Sequence, residues 1–144
     1  MAKILVGGPE GKHQDLHNSL VARLRSKHDV IYVKNDGQIM FWELAKTPLI
    51  AKEERYNLIL YDSDLFYHEA TPEKKIECFE VLTAKYLANA QAPVIVFAEI
   101  QLAMKLHPLI KKAGFIQVDE PYDLDGVIYK ITEIIGNGLN QSVK

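Results

Sequence analysis

Cys78 is the only cysteine among 144 residues, so no disulfide can form within the chain, and a disulfide-stapled scaffold is excluded. Basic charge is not in excess either: 17 Lys and Arg against 19 Asp and Glu leave a formal net charge of -2. Nucleic acid and anionic membrane surfaces are therefore not expected partners, because each needs a concentrated basic face. No run of 18 apolar residues occurs, so no membrane span is expected. The opening Met1-Ala2-Lys3-Ile4-Leu5-Val6 is broken by glycine too soon to be expected to act as a signal peptide. With a single thiol, the expected setting is a reducing cytoplasm. Internal repeats and low-complexity segments are missing too. What is present is 48% hydrophobic and 25% charged residues, a globular balance at a length that suits one domain.

Strand-like and helix-like patterns alternate five times along the chain. Lys3-Ile4-Leu5-Val6 is a short apolar run stopped by Gly7-Gly8-Pro9, which predicts a buried strand entering a tight loop. Leu16, Leu20, Val21 and Leu24 then recur at helical spacing, with Arg23, Arg25 and Lys27 outside. Val30 to Val33 predicts a second strand, and Ile39 to Leu44 a shorter helix that Pro48 ends. Leu58-Ile59-Leu60-Tyr61 predicts the third strand, followed by Asp62-Ser63-Asp64. Thr71-Pro72 opens a long helix with Ile76, Phe79, Leu82 and Leu87 facing inward. Val94 to Phe97 predicts the fourth strand, Ile100 to Lys112 a helix interrupted at Pro108 and capped by Gly114, and Phe115 to Val118 the fifth strand. Leu124, Val127, Ile128, Ile131 and Ile134 mark the last helix, which Gly136 and Gly138 are expected to end, leaving 137–144 as a flexible tail.

Continuous apolar strands alternating with amphipathic helices predict a parallel sheet covered on both faces. Right-handed crossovers restrict it to doubly wound forms, with order 2-1-3-4-5 expected for five strands. Function in such a fold sits beyond the carboxyl ends of the strands, which points to residues 7–13, 62–70, 98–101 and 119–123.

Several chemical motifs fall short. Gly7-Gly8-Pro9-Glu10-Gly11-Lys12 is not a P-loop, because Val6 stands where its first glycine belongs and His13 where Ser or Thr belongs. Backbone amides of that loop remain a possible anion cradle. His13 and His17 are four apart, a zinc-compatible spacing, but Gln14 breaks the H-E-x-x-H pattern and no third ligand is evident. Cys78 lies beside an apolar stripe, as a small core residue does. Phe41-Trp42 and Phe66-Tyr67 are neighbours that cannot both face the core, so one of each pair is expected at the surface.

Tyr56-Asn57-Leu58-Ile59-Leu60-Tyr61-Asp62 resembles the stretch that carries the phospho-accepting aspartate of response-regulator receiver domains. Pro93-Val94-Ile95-Val96-Phe97 resembles their fourth strand, and Glu120-Pro121-Tyr122-Asp123-Leu124-Asp125 their Lys-Pro-Phe segment. The resemblance implies a receiver-like domain over residues 3–136, with Asp62 at the acceptor position. It also implies a divalent cation held by acidic residues after the first strand, a Ser or Thr after the fourth, and a lysine before the proline. This chain has Gly7 and Gly8, Ala98, and Glu120 at those places, and Gln117 at the aromatic switch position. Glu10 and Asp64 are the nearest other acids, expected to be solvated.

Phosphoryl transfer needs cations to neutralise the phosphoryl oxygens, and Mg²⁺ needs carboxylate ligands in near-octahedral array. With those groups replaced, Asp62 is expected to be a polar residue at a strand end, and the protein a non-enzymatic pseudo-receiver without cofactor. It would work in a two-component or other signalling pathway by binding a protein partner, with a homodimer as one possibility. Trp42, Phe66, Tyr67, Tyr122 and Tyr129 are the candidate interface residues. Two alternatives stand: an atypical receiver still phosphorylated on Asp62 with Mg²⁺, and a flavodoxin-like nucleotide- or flavin-binding protein.

Overall fold

The computed structural model describes residues 1–143 except 10, 12, 35–36, 65–70, 83–86 and 88–89, and the side chains of 37, 38, 41, 82 and 137–143 are likewise not described. Five parallel strands form one sheet in the order β2-β1-β3-β4-β5. They are β1 (Lys3–Gly8), β2 (Asp29–Lys34), β3 (Leu58–Asp62), β4 (Val94–Ala98) and β5 (Ile116–Asp119). The helices are α1 (Gln14–Arg25), α2 (Gly37–Ala45), α3 (Pro72–Leu82), α4 (Ala103–Ala113) and α5 (Leu124–Val143). The predicted class and strand order are both found.

The strand runs are apolar throughout because both faces of the sheet are covered. Every residue of β3 and of β4 is buried. Alternate side chains divide between two cores, as a two-residue repeat requires. Leu5, Ile59, Tyr61, Val94 and Val96 join α2, α3 and α4 on one face. Ile4, Val6, Leu58, Leu60, Ile95 and Phe97 join α1 and α5 on the other. Each fully buried side chain of this size stabilises the fold by about 1.5–3 kcal/mol before entropy is counted.

Four expectations shift, among them the interruption expected at Pro108, through which α4 continues. The fourth helix starts at Ala103, and β5 runs from Ile116 to Asp119, Gln117 included. Pro108 lies inside α4, and Gly114 caps that helix at φ 78 as expected. Gly136 and Gly138 do not end α5, whose backbone continues to Val143. A glycine inside a helix costs about 1 kcal/mol and does not forbid it. Among the described residues, no helix is long and apolar enough to cross a membrane.

Candidate functional site

The register sets the stage. Gly7 of β1 lies beside Tyr61, and Asp62 of β3 beside Phe97. Gly8 and Asp62 are the last residues of their strands, so both look onto the space beyond the sheet's carboxyl edge. α1 begins immediately after that edge. Its buried residues are His17, Leu20, Val21 and Leu24, a stripe at helical spacing with a histidine at its first position. The stripe therefore carries the His17 imidazole inward over the ends of β1 and β3.

His17 is 1% exposed and Asp62 0%. The ring Nε2 lies 2.6 Å from Asp62 Oδ2, the short distance of a charge-assisted bond. The ring Nδ1 lies 2.9 Å from the Tyr122 hydroxyl. Glu120, from the segment after β5, brings Oε2 to 3.4 Å from His17 Nε2. The Glu120 amide donates to the Ala98 carbonyl at 2.9 Å, which ties that segment to the end of β4. The Glu120–Pro121 peptide is cis. Phe97 stacks on Tyr122 at 4.7 Å and meets the His17 ring at 5.4 Å. The result is a closed apolar box around one imidazole and two carboxyl groups.

Burial works against a charge on His17, yet its pKa is raised to about 9 because the Asp62 hydrogen bond and the close negative charge of Asp62 and Glu120 outweigh desolvation. That shift favours the imidazolium at neutral pH. In that form Nε2–H donates to Asp62 and Nδ1–H to the Tyr122 hydroxyl. Burial pushes the Glu120 carboxyl well above the usual carboxylate range, and the neighbouring Asp62 adds to that while His17 opposes it. Neither Glu120 oxygen has a hydrogen-bond partner. Burial likewise raises the Tyr122 phenol.

Asp62 is fully used. Oδ1 accepts the Asp64 amide at 2.7 Å, and Oδ2 accepts His17. Asp62 stands at a strand end as expected, the last residue of β3, but it is buried rather than in solvent. Asp64, expected in solvent, is 0% exposed and accepts from Lys75 Nζ of α3 at 2.8 Å. Gly8 has a specific reason to be glycine: a Cβ there would lie 3.1 Å from His17 Cδ2. Glycine at this place does more than omit a carboxylate, since it makes room for the imidazole.

Ala98 is buried at the end of β4. Gln117 points elsewhere, bonding His107 Nδ1 at 3.0 Å and Asp119 at 2.7 Å. Tyr122, expected at an interface, is 7% exposed, because its hydroxyl meets His17 and its ring packs on Phe97. Trp42 and Tyr129 are exposed, at 69% and 73%. Glu10, Phe66 and Tyr67 lie outside the described residues, as does the side chain of Phe41. His13 and His17 do not share a helix face: His13 precedes α1 at φ 57, and only His17 turns inward. The sequence reading weighed His17 only as a zinc-spaced partner of His13 and missed its pairing with Asp62. The signal of His17 was its spacing, three, four and seven residues before Leu20, Val21 and Leu24.

The magnesium site that the receiver resemblance implies does not fit these residues. Gly7 and Gly8 offer no side-chain oxygen, the His17 ring sits on Asp62, and Lys75 sits on Asp64. A small hard cation needs several oxygen ligands in a regular octahedron, and here nitrogen cations hold the two aspartates.

No family model matches the sequence, and no curated protein matches it. Solved structures do match. A protein described among redox sensors of streptococci that evolved from two-component response regulators superposes with TM-score 0.69 at 14% identity. That alignment covers 100% of this chain and 56% of the other, so the chain spans little more than half of that protein. The receiver domain of Francisella response regulator 1452 gives TM-score 0.63 at 16% identity, covering 96% of this chain and 99% of that one. A Pseudomonas aeruginosa histidine-kinase receiver domain, solved with magnesium in its active-site cleft, gives TM-score 0.60 at 16% identity, covering 94% and 98%. The fold is that of the response-regulator receiver domain.

Proposed function

We propose that the chain is a pseudo-receiver, a non-enzymatic signalling module that acts by binding a protein partner without phosphorylation of Asp62. The carrying observation is the His17–Asp62 pair. In a receiver, the acceptor carboxylate must present an oxygen to a phosphodonor with a cation beside it. Here Asp62 is 0% exposed, one oxygen holds a loop amide, and the other holds an internal imidazolium. His17 supplies from within the positive charge that a metal and a lysine supply elsewhere. Glu120, in the lysine's place, would repel phosphoryl oxygens.

The partner would meet the surface around α4, β5 and α5, the face that receivers commonly use for pairing. Ile100, Met104 and Tyr129 are exposed there at 69%, 89% and 73%, and exposed aromatic and Met side chains favour interface centres. The test is intact mass after incubation with Mg²⁺ and a small phosphodonor. No adduct is expected, and a stoichiometric phosphate on Asp62 overturns the reading.

A further inference from the structure

We propose that His17, Asp62 and Glu120 form a binding site for a zinc-type divalent transition-metal ion, with the Tyr122 hydroxyl as outer partner of the histidine. The inference rests on the reading that Asp62 is not a phosphoryl acceptor. It uses neither the strand-one positions nor the octahedral oxygen array of a magnesium site.

Three features support it. One ligand atom from each of the three residues falls in a group whose members all lie within 4.8 Å of one another. The chemistry of the set is one imidazole and two carboxylates, both donor types that zinc accepts, with a fourth position left for water. Both oxygens of Glu120 are buried without a hydrogen-bond partner, and the residue is 2% exposed. A buried carboxyl group without a partner costs free energy unless something else satisfies it, and a cation beside His17 would do so.

The distances fit with one adjustment. Metal–ligand bonds of about 2.0–2.2 Å place tetrahedral ligand atoms roughly 3.4 Å apart. His17 Nε2 and Glu120 Oε2 are already 3.4 Å apart. His17 Nε2 and Asp62 Oδ2 are 2.6 Å apart, the distance of a short hydrogen bond that shares one proton. Replacing that proton with the ion requires this edge to open by about 0.8 Å. Nδ1 faces the Tyr122 hydroxyl at 2.9 Å, and with Nδ1–H donating to that oxygen Nε2 is free for a metal. Two carboxylates and a neutral imidazole carry two negative charges, which a divalent ion neutralises.

The experiment is a titration of the chelator-treated full chain with Zn²⁺ by calorimetry, and with Co²⁺ by visible absorption. One ion per chain is expected, with the intense colour of tetrahedral Co²⁺ and no displacement by excess Mg²⁺. Glu120→Gln keeps the shape of the side chain and should weaken binding by at least tenfold. Tyr122→Phe should weaken it by about 10- to 100-fold. His13→Gln and His107→Gln should leave it unchanged. Absence of a one-to-one complex, or affinity that survives Glu120→Gln and falls with His13→Gln or His107→Gln, overturns the site. Circular dichroism of each variant separates lost ligation from lost fold. A phosphate adduct on Asp62 sinks the pseudo-receiver reading, whereas failed metal binding with no adduct overturns the metal site alone.

Discussion

Two polar clusters sit at opposite ends of the same sheet, and they are built on different principles. At the amino end, Glu43 of α2 accepts from Lys46 Nζ at 2.8 Å and from the Tyr56 hydroxyl at 2.5 Å. Lys3 lies over the Tyr56 ring at 5.1 Å. One carboxylate there has two cations near it, and the Lys46 side chain is 42% exposed. At the carboxyl end, two carboxyl groups share one imidazole, and His17, Asp62 and Glu120 are all buried. The first cluster is balanced and wet, as stability alone would arrange it. The second is acid-rich and dry, an arrangement that costs stability and therefore points to a site.

The sharpest way to break the comparison is to remove the one cation from the dry cluster. His17→Ala should destabilise the protein by about 3–5 kcal/mol, because Asp62 would be left as an uncompensated buried charge. Chemical denaturation measures it, and a loss below 1 kcal/mol would mean that the pair does not hold the edge together. Next comes Gly8→Ala, whose methyl group would press on the His17 ring at 3.1 Å. A cost of about 1–3 kcal/mol is expected from overpacking, and Gly11→Ala, where nothing lies within 4 Å, separates crowding from backbone strain. The amino-end cluster should respond less. Glu43→Gln should cost about 0–1 kcal/mol, since the charge it pairs with, Lys46, is 42% exposed.

The smallest effect is in pH. Desolvation raises the Glu43 carboxyl, but its bonds to Lys46 and Tyr56 and the charge of Lys3 outweigh that, so its folded pKa is lowered. A lowered folded pKa means stability that is present above the unfolded value of 4.5 and lost as pH falls through the folded value. The Tm difference between the native protein and Glu43→Gln should therefore shrink to nothing in acid. A difference that grows in acid would show that the sign is wrong.

Much of this was legible in the chain. Apolar runs at Ile4, Ile59 and Ile95 between amphipathic segments specify strands buried on both faces, and strands of that kind must be parallel with helical crossovers. Gly7, Gly8, Ala98 and Glu120 were legible as departures from the receiver pattern that the sequence resembles. That His17 belongs with them was not, because a histidine on a helix face reads the same whether it looks at solvent or at a carboxylate. Asp64 and Tyr122 were misplaced for a related reason. A polar residue after a strand is usually wet, and only the partners supplied by Lys75 and His17 bring these two inside.

The sequence by itself determined the architecture, because hydrophobic periodicity is a local property that each segment carries alone. Through the receiver resemblance it also marked Gly7, Gly8, Ala98 and Glu120 as departures from the pattern that phosphoryl transfer uses. Only the tertiary structure decided what fills the space around them. His17 and Asp62 are 45 positions apart, and His17 and Tyr122 105. Their hydrogen bonds exist because the sheet order sets the end of β3 beside β1, under the first turns of α1. No pattern along the chain encodes a meeting of that kind, which depends on where the crossovers bring the helix down.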